Sequence, residues 1–185
     1  MSEIIVVTGI PRSGTSLMMQ ILEKIPIEIM TDEVRQKDEN NPEGYYELEA
    51  VKGIIRDNSF LREAQDKAIK IVAPLPQFLD LSLKYKVIFM RREMDEILIS
   101  QEKMLNKDQS AEREKFKTIY ELHIKKTYQF LELNKIPFID IIYNNLFTDS
   151  NFELTKLNNF LDRNLDLEKL KACLNQKYYR NRILR

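Results

Sequence analysis

Four apolar residues in a row, Ile4-Ile5-Val6-Val7, run up to Gly9, and Leu17, Met18, Ile21, Leu22 and Ile25 then recur at helical spacing. An uninterrupted β-branched run predicts a strand buried on both faces. The periodic stretch predicts a helix with one face on the same sheet. The pattern returns twice. Ile69-Lys70-Ile71-Val72 precedes a segment punctuated by Pro74 and Pro76, and Val87-Ile88-Phe89-Met90 precedes Met94, Ile97, Leu98, Met104 and Leu105. A last strand is predicted over 138–143. Strands alternating with helices imply an α/β three-layer sandwich, a largely parallel central sheet flanked by helices, with ligands at the carboxyl ends of the strands.

A chain of 185 residues with 43% hydrophobic composition supports one core, so a single domain over 1–185 is expected. A long periodic helix between 109 and 133 reads as scaffold, the charged segment 31–43 as a surface loop, and everything beyond Asn151 as helical before a basic tail. The 29 basic and 29 acidic side chains cancel, which gives no global field toward nucleic acid or an anionic membrane. Any anion site must be local. The one cysteine, Cys173, cannot form an intrachain disulfide and is expected to be buried structure. The first residues do not have the form of a secretory signal, and no apolar run approaches the roughly 18 residues of a membrane span, so a cytoplasmic protein is expected.

Between the first strand and the first helix lies Gly9-Ile10-Pro11-Arg12-Ser13-Gly14-Thr15-Ser16. Backbone N–H groups and the helix dipole converge on anions at such a junction. The glycine spacing is that of a phosphate-binding P-loop, but Thr15 stands where the lysine that reaches nucleoside triphosphates belongs. The positive charge is displaced to Arg12. A second anchor follows the strand at 87–90, where Arg92 is trailed eight residues later by Ser100. An arginine fork suits phosphate, and the serine hydroxyl could add a donor. Taken alone, this pair also fits an ordinary helix-face ion pair of Arg91 or Arg92 with Glu96.

Together these segments resemble the sulfotransferases that use 3′-phosphoadenosine-5′-phosphosulfate (PAPS), in particular small, diverged bacterial-type members. In that family Pro-Arg-Ser-Gly-Thr or Pro-Lys-Ser-Gly-Thr forms the 5′-phosphosulfate loop, without need of a metal. The resemblance assigns Arg12, Ser13, Gly14, Thr15 and Ser16 to that loop, and Arg92 and Ser100 to the 3′-phosphate. Tyr143-Asn144-Asn145-Leu146 is similar to the family's Tyr-Glu-Asp-Leu, whose tyrosine lies by the adenine. Asn41-Pro42-Glu43-Gly44-Tyr45-Tyr46-Glu47 is like the bacterial-type members. The match covers about residues 4–150. The family's C-terminal Arg-Lys-Gly segment is missing, and Arg180, Arg182 and Arg185 are open as substitutes.

The implied activity is transfer of sulfonate from PAPS to a hydroxyl or amine of a small-molecule, sugar or protein acceptor. Adenosine 3′,5′-bisphosphate would be the product. Lys70-Ile71-Val72-Ala73-Pro74-Leu75 resembles the Lys-Thr-His-Leu-Pro-Leu segment of cytosolic members, which marks Lys70 as catalytic but leaves Val72 at the histidine position. Glu47 is the candidate base, and Arg12 the residue that stabilises charge on the leaving group. Tyr45 and Tyr46 could give the acceptor an aromatic wall. The only histidine, His123, falls on the apolar stripe of the long helix and is expected in the core. No Cys, His and Asp cluster has metal-ligand spacing, so no metal is expected. A kinase or other nucleoside triphosphate enzyme, and a non-catalytic nucleotide-binding protein, are the alternatives.

Overall fold

The computed structural model describes residues 2–32, 34–39 and 41–179. Five strands, β1 (Ile4–Thr8), β2 (Glu28–Met30), β3 (Lys67–Lys70), β4 (Tyr85–Arg91) and β5 (Phe138–Ile142), form one sheet in the order β2-β3-β1-β4-β5. Every pairing is parallel. β1 is central, and each of its residues is buried, as a strand covered on both faces requires.

Side-chain alternation sends consecutive residues to opposite layers. Ile5 and Val7 of β1, with Ile88 and Met90 of β4, pack beneath α1 (Thr15–Glu23), α4 (Tyr143–Thr148), α5 (Ser150–Leu161) and α6 (Leu167–Lys171). Ile4, Val6, Val87 and Phe89 pack on the other side against α3 (Arg113–Leu133) and the 3-10 turns Glu49–Gly53 and Ser59–Ala64. A smaller cluster of Ile10, Ala73, Ile97, Leu98 and Tyr120 seats α2 (Met94–Leu105) against α3. The result is a P-loop-type three-layer sandwich.

Several sequence expectations shift. The strand expected at 69–72 occupies Lys67–Lys70, yet Ile71 and Ala73 still donate to the carbonyls of Val7 and Gly9, so the chain follows β1 past the formal strand end. Tyr143 opens α4 instead of closing β5. A 3-10 turn at Ser110–Glu112 precedes α3, whose helix starts at Arg113. The edge strand β2 was not anticipated. His123 is half-exposed on α3 rather than in the core, because Tyr120, Thr127 and Leu131 carry the buried side of that helix. Among the described residues no helix is long and apolar enough to cross a membrane.

Candidate active site

The strand order reverses at β1, and the crevice outside the carboxyl ends of its neighbours is where open parallel sheets bind ligands. There the structure has a cleft of about 460 Å³. β1 feeds its floor through the 9–14 loop. β3 ends in Lys70, β4 ends in Arg91 with Arg92 next in the chain, and β5 hands over to Tyr143.

The loop folds as its glycines dictate. Gly9 has φ 141° and a Cβ there would lie 2.6 Å from the carbonyl oxygen of Met90, so β1 and β4 admit no side chain at this crossing. Gly14, at φ 101°, caps α1 without any side-chain cap bond. That leaves first-turn N–H groups of a nine-residue helix for an anion. A Cβ on Gly14 would fall 2.3 Å from Cδ2 of Tyr143, which shows how closely that ring covers the loop. Arg12 itself has a left-handed φ of 71°, a strained conformation for a non-glycine residue.

Arg12, Gly14, Thr15, Ser16, Glu47, Lys70, Arg92, Ser100 and Tyr143 all line this cleft. Ser13 does not. Its hydroxyl is fully buried under the loop, without a hydrogen-bond partner among the described residues, and its N–H donates to Ile10. A sequence pattern does not report which way a loop side chain turns.

Two polar groupings face each other across the cleft. Arg12 Nε donates to Ser100 Oγ at 3.0 Å, while Arg92 Nη1 donates to the carbonyl of Arg12 at 3.2 Å, so the loop and the second anchor are tied together. Burial lowers the pKa of the Arg12 guanidinium from its ordinary value, and the neighbouring Arg92 adds to this. Arg92 does pair with Glu96, at 3.0 Å, but inside the protein rather than on a solvated helix face. Arg91 turns away to Tyr128 and Asp140.

Opposite stands Lys70, almost fully buried, donating to Tyr45 O at 2.9 Å, to Glu47 Oε1 at 3.1 Å and to Ser16 Oγ at 3.4 Å. Burial pushes its pKa down although Glu47 pulls the other way. Burial alone would raise the Glu47 carboxyl, but Lys70 and then Arg35 overcome this and hold it below its ordinary range. Arg35 Nη1 reaches both oxygens of Glu47 at 3.0 Å. Its guanidinium also lies 3.5 Å from the centre of the Tyr45 ring, whose hydroxyl donates to Asp38. Tyr45 therefore lines the cleft, whereas Tyr46 turns its hydroxyl to Glu23.

Among the described residues the cleft carries Arg12, Arg35, Lys52, Lys70, Arg92 and Lys103 against two carboxylates, Glu43 and Glu47. That excess, with exposed helix N–H groups and hydroxyls, fits a polyanionic nucleotide carrying phosphate at two places.

No protein-family model matches the chain, and no curated protein sequence matches it. Solved structures do. Mouse sulfotransferase SULT7A1 complexed with PAP superposes with a TM-score of 0.63 at 15% identity, over 98% of this chain and 66% of that one. Retinol dehydratase in complex with androsterone and inactive cofactor PAP gives 0.58 at 18%, over 96% and 65%. Sulfotransferase STF9 from Mycobacterium avium gives 0.54 at 12%, over 98% and 69%. This chain has the sulfotransferase fold. It spans about two thirds of the length of these relatives.

Within the sulfotransferase fold, sequence reasoning missed Arg35, which lies in the charged 31–43 segment. Its described residues belong to no helix or strand and are mostly exposed, yet they lay Arg35 and Asn41 over the cleft, Asn41 donating to Ser16 Oγ at 2.9 Å. No periodicity or spacing marks such residues. Cys173 and Asn175 were missed as lining residues as well. Cys173 is half-buried at the cleft edge rather than core, because α6 ends before it and the chain turns back toward Gln20. Arg180, Arg182 and Arg185 lie outside the described residues.

Proposed function

We propose that this protein transfers sulfonate from PAPS to a hydroxyl or amine acceptor. The convergence of Arg12, Lys70, Arg92 and Ser100 on one cleft, beside a P-loop that has Thr15 in place of its lysine, carries this reading. Similarity to folds solved with PAP supports it. Bound there, PAPS would supply the sulfonate. The first-turn N–H groups of α1, with Thr15 and Ser16, would hold the 5′ end, Arg92 and Ser100 the 3′-phosphate, and Tyr143 the adenine side. Arg12 and Lys70 would donate to the bridging oxygen on which charge develops as the S–O bond breaks.

Glu47 would take the proton from the acceptor as its oxygen or nitrogen bonds to sulfur. Ion pairing with Lys70 and Arg35 keeps Glu47 ionised at neutral pH, at the expense of basicity.

Calorimetry tests the assignment. Adenosine 3′,5′-bisphosphate should bind without magnesium and about tenfold or more tighter than adenosine 5′-phosphate, since contacts to a charged group are typically worth about 1.5–3 kcal/mol each. Equal affinities, or tight magnesium-dependent ATP binding, would replace the sulfotransferase reading with a nucleoside triphosphate enzyme.

A further inference from the structure

Arg92 is committed on three sides. Its Nε donates to Glu96 Oε2 at 3.0 Å, its Nη1 donates to the Arg12 carbonyl at 3.2 Å, and its guanidinium lies 4.4 Å from the centre of the Tyr143 ring. Nη2 makes no hydrogen bond among the described residues, although Arg92 lines the cleft. One nitrogen of the fork is left for a ligand.

The group that holds Nε is itself held. Glu96 is 1% exposed, in the first turn of α2 where the helix dipole favours a carboxylate, and its Oε1 accepts the Tyr179 hydroxyl proton at 3.1 Å. Tyr179 in turn accepts from Asn144 Nδ2 at 2.6 Å, and Asn144 Oδ1 takes the N–H of Glu93 just ahead of α2. The Tyr179 ring stacks on Phe147 at 4.9 Å, meets Tyr143 edge-on at 5.4 Å and faces Arg92 at 5.6 Å. Leu170, fully buried, and Asn175, whose side chain accepts from Lys177 N, dock the segment that brings Tyr179 in. Neither Glu96 nor Tyr179 lines the cleft, so both act on it through Arg92.

We propose that Glu96 and Tyr179 are positioning residues for Arg92, fixing its guanidinium so that Nη2 meets the 3′-phosphate of the nucleotide. This rests on the PAPS reading above. A long side chain that is already ordered spends no further rotamer freedom when the phosphate arrives, so Glu96 and Tyr179 set nucleotide selectivity without meeting the nucleotide.

Titration calorimetry with adenosine 3′,5′-bisphosphate and with adenosine 5′-phosphate separates the possibilities. Tyr179→Phe keeps the ring and removes one oxygen. It should weaken the bisphosphate about threefold to tenfold and leave the monophosphate unchanged. Glu96→Gln, which keeps shape but removes the charge, should weaken the bisphosphate about tenfold or more, with Glu96→Asp intermediate. Both variants should lower Tm, since each breaks a buried bond, but a merely structural role would weaken both nucleotides alike and would overturn the proposal. So would a Tyr179→Phe variant that discriminates as well as the wild type. A wild type that cannot tell the two nucleotides apart would overturn the PAPS reading and this inference together.

Discussion

Glu47 stands between Lys70 and Arg35, and that placement dictates a pH response. Its carboxyl is held below the ordinary range, so its basic form is present at neutral pH and disappears only as pH falls through the lowered value. The acid limb of the rate profile should therefore lie below that of an isolated glutamate. Arg35→Gln removes one of the two cations and should move the limb to higher pH, measurable in turnover against pH at saturating PAPS. The same sign holds for stability: a group whose folded pKa is depressed stabilises the fold above its unfolded value, and that contribution is lost as pH falls through the folded value. Glu47→Gln should lower turnover about 10²–10⁴-fold without weakening the bisphosphate, the usual range for losing a general base. Arg12→Ala should lower turnover about 10²–10³-fold even at saturating PAPS. Full recovery at saturation would make Arg12 a binding residue only.

At the scale of elements, the junction of β1 and α1 is the part that tolerates least change. Gly14→Ala demands a left-handed backbone from alanine and pushes a methyl group into Tyr143, so it should cost about 1–3 kcal/mol and weaken nucleotide binding. Gly53→Ala is the control, since a Cβ there meets nothing within 4 Å, and it should leave both thermal melting and calorimetry unchanged. This junction was legible in the sequence because β1 and β4 are continuous apolar runs and the loop between β1 and α1 is spelled by its glycines. β2 was not, since three residues beginning with Glu28 at a sheet edge carry no pattern of their own. The inward turn of the Ser13 hydroxyl and the place of Arg35 over the cleft were not legible for a related reason. The direction of a loop side chain, and the partner that an exposed arginine finds, are decided by contacts far away in sequence.

For the molecule as a whole, the cleft collects residues from Pro11 to Asn175, so a ligand there braces nearly the full length of the described chain. At a hundred times its Kd, adenosine 3′,5′-bisphosphate should add about 2.7 kcal/mol of stability. For a chain of this size that raises Tm by about 5–10 °C, readable by thermal melting with and without magnesium. A rise that requires magnesium would contradict binding of the nucleotide without a metal. The central position of β1 has a different consequence. Ile5 pairs with Ala68 and Ile4 with Tyr85, so β1 is made well before its neighbours on both sides. Until β3 and β4 emerge, an unpaired apolar ribbon waits in solution, and parallel pairing over such separations is slow. The architecture that places an anion loop at the heart of the sheet thus leaves that strand without its partners for much of synthesis.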